Sequence, residues 1–242
     1  EEPLHSMGVE VMQHGATKHA IFESDIVDIQ VLGDFRSGEL GDAIKKTLSV
    51  YMPSVFVLKE EVKNKTYQSE LQFSINVKDI SPLMKIFKTK IKMNGEAFIY
   101  GEYIAADNFI HVEGQVPSLK IGNNLVSDIS LDATASGDKI EMKTMLDLPV
   151  YNVMFKDLIL SGEVQYDNVK ISCDWKNDDS LLYKGHVGVD GVLSRDRASV
   201  FNALFYILPG EVIIADSAWE IQKSHMTFHE NIFSIDNFIG HD

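Results

Sequence analysis

The chain has 242 residues, 45% of them hydrophobic, and a formal net charge of −14. That length is enough for one substantial core, and a single large all-β domain can reach it. A surface this acidic repels phosphate backbones, which argues against a nucleic acid partner but leaves open the burial of an uncharged apolar tail.

A single cysteine, Cys173, excludes an internal disulfide framework. It falls on the apolar parity of its segment and reads as a small buried hydrophobe. The longest apolar run, near Ala203 to Pro209, is far short of the ~20 residues a helical membrane span needs. No signal peptide is recognisable. The chain opens Glu1-Glu2-Pro3 without an initiator methionine. The expectation is a segment of a longer protein, or a processed product, whose anchor and targeting signals lie elsewhere.

In chain order, residues 1–20 are polar and read as a weak strand or a ragged start. A clear strand covers Ile26 to Phe35 and ends in the turn Arg36-Ser37-Gly38. The spacing of Leu40, Ala43, Ile44, Thr47, Leu48 and Tyr51 then predicts a helix over 39–52. Ser37 is its expected cap, Glu39 and Asp42 suit its first turn, and Pro53 stops it. A polar patch, Lys59 to Ser69, leads to a strand over 70–77. Ser81-Pro82 signals a short second helix that would bury Leu83, Ile86 and Phe87.

From Lys90 to Trp175 the sequence alternates with period two. Ile129, Leu131 and Ala133 oppose Asp128, Ser130 and Asp132. Ile140, Met142, Thr144 and Leu146 oppose Lys139, Glu141 and Lys143. Leu158, Leu160, Gly162 and Val164 oppose Ser161, Glu163 and Gln165. Val169, Ile171, Cys173 and Trp175 oppose Lys170, Ser172 and Asp174. Such alternation marks strands with one buried and one wet face. Turn signals fall at 106–108, 122–124, 136–138, 166–168 and 176–179. A last strand of this tract covers 181–192. A third helix is expected over 195–208, capped by Ser194, with Ala198, Phe201, Leu204, Phe205 and Leu208 as its stripe. Three final strands follow, over 211–216, 218–222 and 225–239, the last folded at Glu230-Asn231. No composition shift divides the chain, so one elongated β-rich unit over 1–242 is expected.

Eleven to fourteen strands at ~4.8 Å make a sheet roughly 50–65 Å across. The two longer helices would cover about 20 Å of it. The remaining apolar face must close into a barrel, pack as a sandwich, or curl into a half-pipe. The residues alone leave these three open.

No nucleophile elbow, phosphate-binding loop or dinucleotide fingerprint is present. His225 and His229 lie four apart on a strand, on one face but ~13 Å from each other, too far to share an ion. No carboxylate pair is set against an apolar pocket as an acid–base couple requires. The expectation is a protein that is not an enzyme, with no cofactor and no metal. Phe98, Tyr100 and Phe109 sit on the mostly polar parity and read as cross-strand packing.

Several stretches carry a resemblance. Tyr206-Ile207-Leu208-Pro209 leads to Asp216-Ser217-Ala218-Trp219-Glu220-Ile221 and closes on Ile235-Asp236-Asn237-Phe238. Upstream are the strand Ile26 to Phe35, the helix end Tyr51-Met52-Pro53, and Phe73 to Phe87 followed by Asn94-Gly95-Glu96. Together they resemble the interior of TamB proteins of the AsmA-like superfamily, in their Bacteroidetes-type form.

The resemblance implies a curved antiparallel β-taco, or half-pipe, with an apolar inner face and two or three short amphipathic helices. It implies a periplasmic envelope protein anchored in the inner membrane through parts of the parent outside this chain. Its members are implicated in phospholipid movement between membranes and in outer-membrane protein assembly. The implied partners are therefore phospholipid acyl chains and the outer-membrane assembly machinery. The family supplies no catalytic residues. Parity alone nominates Leu160, Val164, Tyr166, Val169, Ile171 and Trp175 as lining a lipid groove. The alternative is an interaction module with a filled core and no lipid.

Overall fold

A computed structural model describes residues 6–86, 89–150, 153–177, 181–229, 232–236 and 240–241. Among these residues there are eighteen strands and three α-helices. The chain starts with a regular hairpin, β1 (Met7–His14) and β2 (Thr17–Ser24), rather than a ragged segment. Gly15 makes the turn with a φ of +64°, a conformation that favours glycine. β3 (Val27–Asp34), α1 (Leu40–Tyr51), α2 (Glu60–Lys63), β4 (Glu70–Val77) and α3 (Ser81–Ile86) follow. The short α2 lies inside the polar patch, where no apolar stripe announces it.

The central tract is β5 (Ile91–Asn94), β6 (Ala97–Ile104), β7 (Phe109–Ile121), β8 (Asn124–Ser136), β9 (Lys139–Val150), β10 (Val153–Gln165), β11 (Asn168–Lys176) and β12 (Lys184–Arg195). The last part is β13 (Phe201–Ile207), β14 (Gly210–Ile214), β15 (Ser217–Ile221), β16 (Ser224–His229), β17 (Ile232–Asp236) and β18 (Gly240–His241).

All the strands join one antiparallel sheet. The order runs β1-β2-β3-β4-β6-β7-β8-β9-β10-β11-β12. Beyond it, β13 and β14 share the edge of β12. β16 and β15 continue that row outward, then β17 and β18. On the other side, β5 extends β6 along β7. Eighteen segments therefore fill fourteen rows, about 60 Å of sheet at ~4.8 Å per step. No pairing among the described residues joins β1 to β17 or β18, so the sheet is open.

The segment broken into β13 and β14 is where a third helix was expected. Residues 201–207 are a strand instead, paired with β12 on one side and β16 on the other. Phe201, Ala203, Phe205 and Ile207 satisfy period two as well as the helical stripe does, and two waiting sheet edges decide the contest. Ser199 has a φ of +63°, and Asp196 Oδ1 accepts from the Ala198 and Val200 N–H groups at 2.8 and 2.9 Å. That turn blocks helical continuation.

The helix caps also differ from expectation. No side chain caps α1. Instead the Arg36 carbonyl accepts from the Glu39 and Leu40 N–H groups. At α3, the Asp79 carboxylate accepts from the Ser81 N–H at 2.8 Å, so aspartate holds the turn. The side chains of Leu83, Ile86 and Phe87 lie outside the described set.

A line of irregularities crosses the strands. Gly95 at φ +83° separates β5 from β6. Asp128 and Asp157, each at φ +51°, mark register shifts between β8 and β9 and on both sides of β10. Leu208-Pro209 separates β13 from β14, and residues 222–223 separate β15 from β16. The pairings place these breaks on neighbouring rows, and bulges bend and twist the strands that carry them.

The compact core is local. Phe35, Ala43, Tyr67, Leu71 and Tyr103 are buried together where α1 lies on the sheet, with Val31, Phe73 and Ile110 packed around them. Tyr51 ends the helix fully buried; its hydroxyl donates to the Asn108 carbonyl at 2.6 Å, and its own carbonyl accepts from the Asp167 N–H at 2.9 Å. The Asp167 carboxylate accepts from the Ser54 N–H at 3.0 Å and from its hydroxyl at 2.7 Å. Arg195 Nε donates to the Ser54 carbonyl at 2.7 Å. The end of α1 is thus tied to the β6–β7, β10–β11 and β12–β13 turns. Away from the helix the sheet is poorly covered. The accessible surface is 15494 Å² for 27.2 kDa, against ~11,000 Å² for a compact monomer of that mass.

Asp167→Ala should lower stability by about 1–2 kcal/mol, since it strands the Ser54 donors at a part-buried contact. Asp167→Asn should cost less, because it keeps an acceptor and tolerates the left-handed turn. Urea unfolding midpoints read both; equal midpoints for Ala and wild type would show that this tie carries nothing.

Candidate functional site

Residues paired directly across antiparallel strands place their side chains on the same face. One such row runs Val9, Phe22, Ile29, Ile75, Ile99, Gly114, Leu131, Thr144, Leu160, Cys173 and Val187, across eleven strands. The adjacent row on the other face runs Gln30, Ser74, Tyr100, Glu113, Asp132, Lys143, Ser161 and Ser172. Along these two rows, one side carries mostly apolar side chains and the other mostly polar ones.

The nominated groove residues fall on this pattern with one exception. Leu160 pairs with Cys173, Val164 with Val169, and Gly162 with Ile171. Leu160, Val164, Val169, Ile171 and Trp175 share the apolar face. Leu160, Val164, Val169 and Trp175 are half-buried, and Ile171 is 44% exposed. Tyr166 is not part of that face. It sits in the β10–β11 turn at φ +47° and is 57% exposed, because the hairpin turns one residue earlier than alternation suggests. Cys173 is half-buried, and burial pushes its thiol pKa up, which keeps it a neutral thiol.

Parity counted in sequence also misses Phe155. The extra residue at Asp157 shifts β10, so that Phe155 pairs with Leu148 and Leu158 with Leu146. Phe155 and Leu158 then share the apolar face despite their odd spacing. A positive-φ aspartate inside a strand is invisible to periodicity.

Three aromatic rings lie against glycines on this face. Phe73 is opposite Gly101, Trp175 opposite Gly185, and Phe205 opposite Gly191. A Cβ built on any of these glycines would fall inside van der Waals contact with the ring facing it. The rings therefore cover backbone that no side chain of its own covers. A β-branched residue at these positions would lift the ring away from the sheet.

The concavities of about 630, 520, 320 and 240 Å³ are bordered mainly by polar-face residues. The largest holds Lys156, Lys176 and Lys184 directly opposite one another on three strands. Asp157, Asp174, His186 and Glu211 line it too, so its charge is mixed. A cavity of about 170 Å³ lies beneath α1, bordered by Thr47, Tyr67 and Tyr103. Thr47 and Tyr103 hydroxyls meet there at 3.2 Å, and the buried Tyr67 hydroxyl has no protein partner.

His225 and His229 lie on β16, as strand spacing requires. Phe98 and Tyr100 are 48% and 45% exposed on the polar face rather than packed under neighbours. No helix among the described residues is long and apolar enough to cross a membrane.

No family model matches the chain, and no curated protein or solved structure matches it either.

Gly185→Val should displace the Trp175 ring and cost about 1–3 kcal/mol through overpacking. In a Trp219→Phe background, Trp175 emission should shift to longer wavelength as the ring gains water. Unchanged emission and midpoint would show that the ring does not depend on the glycine.

Proposed function

We propose that this chain is a non-enzymatic segment of a cell-envelope protein whose apolar face carries phospholipid acyl chains between membranes. The observation that carries the proposal is the eleven-strand apolar row, only partly covered by protein. A monomer seldom leaves so long an apolar surface without a use for it. Aromatic rings laid against glycines keep that surface shallow where bulkier pairs would fill it.

Curvature into a half-pipe is part of the same proposal. Eight inter-strand steps separate β3 from β12, about 38 Å in a flat sheet. A helix of twelve residues, about 18 Å long, begins just after β3 and reaches turns as far as β12 through Ser54 and Arg195. A sheet bent round α1 accommodates that reach most readily. The sequence stretches that resemble TamB proteins point to the same architecture, and with it to the periplasm and to outer-membrane biogenesis.

The mechanism is passive. Apolar contact has no direction, so a tail meets a similar wall at each strand and is held tightly at none. Headgroups stay in water at the rim. The residues proposed to touch the tails are Leu160, Val164, Val169, Ile171 and Trp175.

A second reading is favoured by one observation. All eight residues of β1 are exposed, with Met7, Val9 and Val11 at 63–70%. Such an edge suits capture of a partner strand from the outer-membrane assembly machinery.

Site-specific photo-crosslinking in the full-length parent in cells tests both. Probes at Val164 and Ile171 should form lipid adducts, while probes at Glu163 and Lys170 on the opposite face should form none. Protein adducts at β1 with no lipid at Val164 or Ile171 would replace the conduit with an assembly module.

A further inference from the structure

The polar face holds a cluster that the conduit reading does not use. His111 and Glu113 are two apart on β7 and project from the same face. On β8, Thr134 stands directly opposite His111, and Asp132 directly opposite Glu113. The ligand atoms of His111, Glu113 and Asp132 all lie within 4.8 Å of one another. Around one zinc ion at ~2.0–2.2 Å, ligand atoms stand roughly 3.3 Å apart. Small side-chain rotations close the difference, since the backbone already sets all three residues on neighbouring positions.

We propose that His111, Glu113 and Asp132 form a binding site for a borderline divalent transition-metal ion such as Zn²⁺.

Three features support the assignment. First, the imidazole is oriented. Its Nδ1 meets the Thr134 hydroxyl at 2.9 Å, which leaves Nε2 directed at Glu113, 3.1 Å away. A partner on the far ring nitrogen is what metal-bound histidines have. Second, the electrostatics favour a cation. Glu113 and Asp132 are a directly opposed like-charged pair, an arrangement that costs stability unless a positive charge sits between them. Glu102, opposite His111, and Glu141, opposite Thr134, add two more carboxylates to the same patch. Lys143 lies opposite Asp132 and Lys139 pairs with Glu141 at 2.6 Å, so nearby lysines offset part of this charge. Third, there is room. The concavity of about 240 Å³ is bordered by Glu113, Asp132, Tyr100 and Lys143, so water or a further ligand can complete the coordination.

One imidazole with two carboxylates suits Zn²⁺ or Mn²⁺ better than the all-oxygen sets of Ca²⁺ and Mg²⁺. The ion would clasp β7 to β8 on the face opposite the apolar row. The site stands or falls independently of the conduit reading.

Isothermal titration of the metal-free chain with Zn²⁺ is the test. Wild type should bind one ion per chain saturably. His111→Ala and Asp132→Asn should each weaken binding at least tenfold, and Thr134→Val by roughly tenfold through loss of ring orientation. Cys173→Ser and His225→Ala should leave it unchanged. Circular dichroism checks that each variant is folded, and Glu113→Gln carries the test if His111→Ala is not. Absence of saturable binding, or binding by His111→Ala equal to wild type, overturns the assignment.

Discussion

The structure depends on one constraint: a single antiparallel layer in which every strand hydrogen-bonds to its neighbours and almost nothing lies over either face. Backbone pairing is satisfied without a second layer. Burial is not. A sheet of fourteen rows presents far more apolar surface than one twelve-residue helix can cover. The buried core is accordingly gathered under α1, at Phe35, Leu71 and Tyr103. The strands beyond it keep their apolar side chains half-exposed. Stability in that part must come largely from ladder hydrogen bonds and cross-strand pairs, each worth about 0.2–1 kcal/mol over alanine.

Register then decides everything about the two faces. Because the side-chain period is two, a slip of one residue would exchange them. The irregular positions do not cause such a slip. At Asp157 the extra residue is absorbed locally, and Phe155 and Leu158 end on the same side. Gly95, Asp128 and the Leu208-Pro209 break fall along the same transverse line. Proline at 209 cannot donate to a ladder, so a gap between strands is where it fits. The apolar face stays continuous because the bulges are aligned rather than scattered.

Much of this was legible in the sequence. Strict alternation located the central strands, and the α1 stripe located the first helix, because both patterns follow the backbone's own period. Turn chemistry located the hairpins at Gly122, Gly137 and Asn168. What failed did so where one pattern serves two structures. Phe201 to Leu208 reads as a helical stripe and as a strand, and only the free edges of β12 and β16 choose between them. The first segment read only as a weak strand or a ragged start: Met7, Val9 and Val11 alternate, but polar neighbours and exposure along all of β1 weaken the signal. Tyr166 was misplaced because alternation says nothing about where a hairpin turns. The grouping of His111, Glu113 and Asp132 was hidden by its geometry. His111 and Glu113 are close in sequence, but Asp132 joins them only through pairing of β7 with β8.

The open edges set the remaining physical problem. Among the described residues β1 pairs only with β2, which leaves its other edge open, with apolar Met7, Val9 and Val11 exposed beside it. At the other side, Ile232 and Phe233 on β17 are 64% and 58% exposed. Proline and bulges, the usual means of blunting an edge, are absent from β1, whose one carboxylate is Glu10. The edge itself therefore does little to refuse a second strand. The protection available is general, from a net charge of −14 that keeps like chains apart at low salt. Screening shortens that repulsion to about 8 Å at physiological ionic strength, within reach of a pairing strand. An edge of this kind is open to further strand pairing.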